Sequence, residues 1–424
     1  MFKASSKYLS YILGEGISKG VIFLLFSFFT DYFEKKEFGK LALFWAIIPV
    51  LSVFLDFSQR SYVKNRALYG SILAQKSIVR SIVFSTIIAL VFYFIWLLLK
   101  LYGIAIIDNR FDFYILICAY FFSVIEVMLS YYQIRGKLIL YNILYASRNS
   151  LPYVLTFLVI ILGGKTDKYS PIIFAIVQSF VFGAIALILL INLIKSGKNI
   201  FDTTIKRLIK KTTIALSFSS PIIPGVLSAL VLSFADRFII NYYYSEVEVA
   251  EYTVAYTVGS IFMAFFLATN KMWQKFILQH LKLGEVNRIS KAAKIYFFCV
   301  LTVCLTVFVF KTHLLKLLSN DSYLVALDLI PIILIGMLFY FLYTVLSNIP
   351  FFYKDTFLMA FPAIIAAVLN IILNFLLLPQ YGYKVAAYTT TISYFCEFLI
   401  IYFICLKKYK IDLLFYAATK KFIR

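Results

Sequence analysis

Twelve apolar stretches follow one another along this chain, with polar connections between them. An α-helix needs roughly 20 apolar residues to cross the hydrocarbon core of a bilayer, and only helices or closed barrels satisfy their backbone there. The runs are about twice the length of a barrel strand. The sequence therefore predicts an all-α integral membrane protein with about 12 transmembrane helices. They are expected at roughly 10–30, 40–58, 80–101, 113–133, 140–163, 171–194, 213–235, 250–270, 295–312, 325–349, 355–378 and 384–406.

At 62% hydrophobic and 14% charged residues, the 424-residue chain is too apolar for a soluble domain. Its net charge of +21 invites a nucleic-acid reading, but the basic residues lie in the gaps between apolar runs, where anionic lipid attracts them. The bilayer, not nucleic acid, is the expected partner. The five cysteines fall in apolar runs without paired spacings, and His280 and His313 have no acidic or cysteine companions, so no metal site is expected. Glu15 and Lys19 interrupt the first apolar run and no small-residue cleavage site follows, which reads as a retained span, not a signal peptide.

If the N-terminus is cytoplasmic, the inner segments hold 28 of the 41 basic residues and the outer ones 11. That bias satisfies the positive-inside rule and predicts both termini in the cytoplasm. Glu246, Glu248 and Glu251 then fall in an outer loop after the seventh span. The longest basic connection, Lys195 to Lys211, divides the chain into two sets of six spans. The expected organisation is an N-terminal lobe (1–194), a linker (195–212), a C-terminal lobe (213–406) and a basic tail (407–424). Within the linker Phe201, Ile205, Leu208 and Ile209 share one helical face and Lys206, Arg207, Lys210 and Lys211 the other, the pattern of a helix lying on the inner leaflet. A solvated linker is the alternative. Gly20, Val21, Phe29, Asp31 and Phe33 recur at constant offset as Gly225, Val226, Phe234, Asp236 and Phe238, which suggests a parallel repeat of two halves around a central cavity.

Charges inside spans are costly and mark function when they face protein or water. Lys19 lies one helical turn after Glu15, with Gly14, Gly16 and Gly20 beside them. The pair reads either as self-neutralising or as a cavity ammonium tuned by a carboxylate. Arg148 either lies inside the fifth span or snorkels to the inner headgroups. Glu126 and Glu397 are isolated acids, each a proton or sodium coupling site or a protonated acid bonded to a neighbouring helix. Asp236 and Arg237 sit at the outer end of the seventh span, where an interfacial pair is expected. Pro221 and Pro224, with Gly225, interrupt the start of that span, either as a packing kink or as a helix break bordering a transport site. No enzyme constellation and no phosphate-binding glycine loop is present, so ATP is not the direct fuel.

Several of these residues form a familiar series. Glu37-Phe38-Gly39 follows the first span; Pro221, Pro224, Asp236-Arg237-Phe238, Tyr252, Ala255-Tyr256 and Trp273 cover the seventh and eighth. Tyr323 and Ile330-Pro331 approach the tenth, and Asn370, Asn374, Pro379, Tyr381-Gly382, Ala386-Ala387, Thr390 and Tyr394 run through the eleventh and twelfth. Along nearly its whole length the chain resembles the O-antigen or capsule lipid-linked oligosaccharide flippases of the multidrug/oligosaccharidyl-lipid/polysaccharide exporter superfamily. One departure is Asp56-Phe57-Ser58, where those proteins usually carry a glycine.

The resemblance implies two six-helix lobes in a V around a cavity, alternating access without ATP hydrolysis, and a bacterial cytoplasmic (inner) membrane. Its implied substrate is a polyprenyl diphosphate carrying an oligosaccharide, delivered to O-antigen or capsule assembly, with polysaccharide-assembly proteins as partners. Lys19, Lys271, Arg148 and Arg237 are the expected contacts for the diphosphate. No cofactor is implied beyond coupling to protons or sodium. The alternative is a cation-coupled multidrug antiporter of the same superfamily, with Glu15, Glu126 or Glu397 as coupling acids. A membrane enzyme of polysaccharide assembly is a third reading, against which the short outer loops argue.

Overall fold

The computed structural model describes residues 19–104, 107, 109–163, 170–196 and 204–413. Among them the regular structure is helical throughout, as backbone surrounded by hydrocarbon demands. The chain divides into two compact units, Met1–Leu227 and Ser228–Arg424.

The first unit contains α1 (19–32), α2 (Lys35–Asp56), α3 (Gln59–Tyr69), α4 (Ser71–Leu101), α5 (Asn109–Ile134), α6 (Leu138–Leu162), α7 (Ile172–Ser196) and α8 (Ile205–Ser219). A 3₁₀ turn over Ser220–Ile222 leads into α9 (Ile223–Tyr243), which carries the chain into the second unit. There follow α10 (Glu246–Lys282), α11 (Val286–Val309), α12 (Lys311–Leu318), a 3₁₀ segment over Asp321–Asp328, α13 (Leu329–Leu346), α14 (Asn348–Phe352), α15 (Thr356–Tyr381) and α16 (Val385–Lys407).

Among the described residues, eleven candidate spans are long and apolar enough to cross a membrane, and they coincide with the second to twelfth expected runs. The expected first span begins outside the described residues and continues as α1. Several boundaries differ from the sequence reading: α4 begins earlier, at Ser71, α10 runs on to Lys282 and α11 begins at Val286, and local chemistry explains two further differences. The run placed at 213–235 is α8, the 3₁₀ turn and α9, because Pro221 within Ser220–Ile222 cannot donate a helical hydrogen bond. The acids placed in the following loop are instead in the first turns of α10. Ser245 Oγ accepts from Val247 N at 3.2 Å and Glu248 Oε2 accepts from Ser245 N at 3.0 Å, a reciprocal cap that starts the helix early.

The core of the first unit is aromatic. Tyr153 of α6 lies 4.9 Å edge-on from Phe174 of α7, and Trp45 of α2 and Phe29 of α1 lie 5.3 and 5.6 Å from the same ring. The second unit packs α13 and α15 against α16. Tyr394, Leu232, Ala366 and Ala367 form one buried cluster, and Gly336 lets α13 approach the Thr391 backbone closely.

Candidate functional site

In the first unit, α2 ends where Phe57 and Ser58 adopt left-handed backbone (φ 49° and 55°). This is the position where the resemblance leads one to expect glycine, and the conformation explains why, since left-handed backbone costs a side chain. Asp56 supports the turn by accepting Ser58 N at 2.8 Å. The reversal starts α3 and sets Arg60 back against Asp56, with Nε 3.1 Å from Oδ2. Arg60 also reaches across to α5, its Nη1 3.5 Å from Glu126 Oε2. The other oxygen of Glu126 takes a hydrogen bond from Arg148 Nη1 of α6.

Asp56, Arg60, Glu126 and Arg148 thus form a continuous charge chain over α2, α3, α5 and α6. Glu126 is therefore not an isolated acid, and Arg148 does not snorkel; it is 5% exposed. Its guanidinium lies 4.5 Å over the Phe122 ring and 5.2 Å over that of Tyr145, and Nε donates to Asn149 at 3.2 Å. Lys64 of α3 faces the same acid; burial lowers the pKa of its ammonium and the Glu126 charge opposes that shift. Three cations thus surround two carboxylates. Nη2 of Arg60 is buried with no hydrogen-bond partner among the described residues, so the cluster has donor capacity and one positive charge in excess.

The second unit has a polar centre of another kind. Asp236 of α9, 1% exposed, accepts from Tyr252 at 2.6 Å, Thr390 at 2.6 Å and Asn374 at 2.8 Å. Asn370 donates to Thr390 at 3.0 Å and accepts from Asn374 at 3.2 Å. The expected Asp236–Arg237 interfacial pair does not form. Successive helical residues point about 100° apart, and both side chains are buried. Arg237 instead donates to Thr253 Oγ1 at 3.1 Å and Ser233 O at 2.8 Å, with the Tyr256 ring 4.9 Å from its guanidinium carbon. The groups that face Asp236 are all donors, two hydroxyls and one amide nitrogen, so its carboxylate oxygens are met by neutral partners within the unit. Glu397 of α16 is 1% exposed, and its Oε2 has no hydrogen-bond partner among the described residues.

The remaining expected residues are scattered. Lys19 is half-buried at the start of α1, while Glu15 lies outside the described residues, as does the side chain of Lys271 in α10. Pro221 lies in the 3₁₀ turn and Pro224 in the first turn of α9. Asp31, the repeat counterpart of Asp236, is exposed. Sequence reasoning singled out neither Arg60 nor Lys64, and took Asp56 only as part of the stretch that departs from the family's glycine. The signal was present in the four-residue spacing of Asp56 and Arg60, directly after an apolar run.

A family model described as polysaccharide biosynthesis protein matches residues 5–273, and one described as MatE matches residues 221–376. An uncharacterized membrane protein of Haemophilus influenzae is 26% identical over 284 residues; the match covers 65% of this chain and 66% of that protein, just under two thirds of its length. Among solved structures, an inward-facing multidrug resistance MATE family transporter of the MOP superfamily superposes with a TM-score of 0.69 at 13% identity, over 92% of this chain and 93% of that one. Lipid II flippase MurJ, in its inward closed conformation, gives 0.69 at 16% identity over 94% and 86%. At such identities the likeness is one of fold.

Proposed function

The chain belongs to the polysaccharide biosynthesis protein family, and from that premise we propose that it is a flippase for polyprenyl-diphosphate-linked oligosaccharide, moving the repeat unit from the cytoplasmic to the outer leaflet for O-antigen or capsule assembly. The observation that carries this reading is the cationic excess around Glu126, with an unpartnered guanidinium nitrogen on Arg60. Positive charge in excess of its buried counter-charges is costly, and a diphosphate is a counter-charge of the right sign.

The physical task is to move a polar headgroup past hydrocarbon. Each sugar hydroxyl taken from water without a new partner costs about 4–8 kcal/mol on the cyclohexane scale, so a several-sugar headgroup does not cross unaided. A protein-lined polar path keeps those hydrogen bonds while the polyprenyl tail stays in lipid. Arg60 and Arg148 would hold the diphosphate by charge-assisted hydrogen bonds, and Glu126 would balance them when no substrate is present. Lys19, Lys271 and Arg237 would serve as further contacts along the path. Solved relatives of this fold include inward-facing and outward-facing conformations, which supports an alternating-access cycle. The bacterial cytoplasmic membrane, with both termini inside, is the proposed location.

The test is gene deletion followed by assignment of the membrane face on which the lipid-linked repeat unit collects. Accumulation on the cytoplasmic face, reversed by the wild-type gene but not by Arg148→Gln, is the expected result. Normal surface glycan together with altered drug sensitivity would instead support the second reading, a cation-coupled multidrug antiporter. That reading is favoured by the match to MatE and by the buried carboxylate of Asp236, a group able to exchange a proton.

A further inference from the structure

A cavity of about 350 Å³ lies within the first unit and shares no residue with the charge chain around Glu126. Its polar lining comes from Lys137, Tyr131, Tyr132, Gln75 and Asn192, and no acid contributes to it. Met128, Leu140 and Leu193 supply the apolar part. The lining is thus electropositive at one point, rich in neutral donors and partly oily, a combination that suits an amphiphile with an anionic head.

Position narrows the ligand further. The lining residues sit near four helix termini: the start of α4 at Ser71, the end of α5 at Ile134, the start of α6 at Leu138 and the end of α7 at Ser196. Each of those helices is long enough to span, so these ends lie at headgroup depth. They carry Lys76 and Lys195 and adjoin the connection with Arg135 and Lys137, on the face to which the charge bias assigns the cytoplasm. Basic pockets between transmembrane helices on that face suit lipid head groups. On the same helix as the lining residue Leu140, Ile139 and Ile143 are 76% and 57% exposed and offer apolar surface to an acyl chain. The volume is near the lower end of the range for ligand sites, about 300–1,000 Å³, which fits one small headgroup and not a several-sugar unit.

We propose that this cavity binds one anionic glycerophospholipid of the inner leaflet, with its phosphate on the Lys137 ammonium and the hydroxyls of Tyr131 and Tyr132. Gln75 and Asn192 are placed to meet the glycerol head. The site is independent of the transported substrate, so it stands whether or not the chain is a flippase. Lys137 is exposed and its Nζ lies 5.8 Å from the centre of the Tyr132 ring, which points the ammonium toward the lining without burying it.

The test uses the purified full chain, delipidated in detergent and titrated in native mass spectrometry with phosphatidylglycerol, phosphatidylcholine or glycerol 3-phosphate. One phosphatidylglycerol per chain is expected, held about fivefold more weakly by Lys137→Gln, the loss appropriate to one basic residue at the surface of an anionic leaflet. Lys137→Arg should retain it, and Arg135→Gln, at a neighbouring cation outside the lining, should leave it unchanged. Equal binding of phosphatidylcholine would overturn the proposal. So would an equal loss in Arg135→Gln, which indicates diffuse surface charge. Glycerol 3-phosphate binding as tightly as the lipid would also overturn it, in favour of a soluble phosphate ester.

Discussion

Arg148 illustrates how much one side chain decides in this protein. Replacing it with glutamine removes the closer of the two arginines on Glu126 and leaves Arg60 at 3.5 Å and the Lys64 charge. Breaking a buried ion pair on one side costs about 3–5 kcal/mol, and the 23% exposure of the Glu126 side chain puts this case at the lower end. The expected outcome is a lower melting temperature in detergent and loss of complementation. The Glu126→Gln/Arg148→Gln double variant should regain most of the stability without regaining transport. Ser58 should respond in the opposite direction. Its φ of 55° costs a side chain about 1–2 kcal/mol, and its Oγ is buried with no partner among the described residues. Against these, glycine adds about 0.5–1 kcal/mol of unfolded-state entropy. Ser58→Gly should therefore raise stability by about 1 kcal/mol, and a lowered melting temperature would contradict that account. Both residues stood in plain view in the sequence. Their significance did not, because Arg148 gains its meaning from Glu126, 22 residues away on another helix.

At the scale of elements, the closest contact is between α13 and α16. A Cβ on Gly336 would lie 2.8 Å from Thr391 Oγ1 and 3.2 Å from Thr391 Cα. The hydroxyl could turn away only by giving up its 2.9 Å hydrogen bond to Ile332 O, and the backbone atom cannot. Gly336→Ala should cost about 1–3 kcal/mol, measured as a shift in thermal unfolding. A second element-level contact follows α16. Tyr409 stacks on Tyr353 at 4.7 Å and donates to Asp355, which Lys408 also approaches at 2.9 Å. The Tyr409 hydrogen bond and the Lys408 partner hold the Asp355 carboxyl below its ordinary range. A lowered folded pKa contributes stability above the unfolded value and loses it as pH falls through the folded one. Hydrogen-exchange protection at residues 408–413, taken relative to the intrinsic exchange rate at each pH, should thus stay constant from pH 7 to 5 and fall only below about pH 4, whereas Asp355→Asn should lower it already at pH 7 and remove that pH dependence. The boundaries read from hydropathy failed where local chemistry overrode it, at the Ser245 cap and at Pro221.

At the scale of the whole molecule, the charge asymmetry makes a prediction about orientation. A cysteine introduced at exposed Asp321 should react with a membrane-impermeant maleimide in intact cells, and one at exposed Arg288 only after permeabilisation. The reverse pattern would invert the topology and remove the inner-leaflet assignment of the Lys137 cavity. The two units also differ in kind. The first holds a charged chain with a cationic excess; the second holds a carboxylate enclosed by neutral donors. The five-residue repeat gave no hint of that difference, since Asp31 is exposed where Asp236 is buried.

The sequence alone determined the helical class and the position of nearly every span, because a bilayer imposes length and polarity on each segment separately and those constraints are local; the family came from the series of residues that resembles it. It could not decide which charges meet. Asp236 and Thr390 are 154 residues apart, and Arg60 and Glu126 lie on helices that no periodicity links. Those pairings depend on which helix faces turn toward one another, and that is settled by side-chain packing throughout each unit.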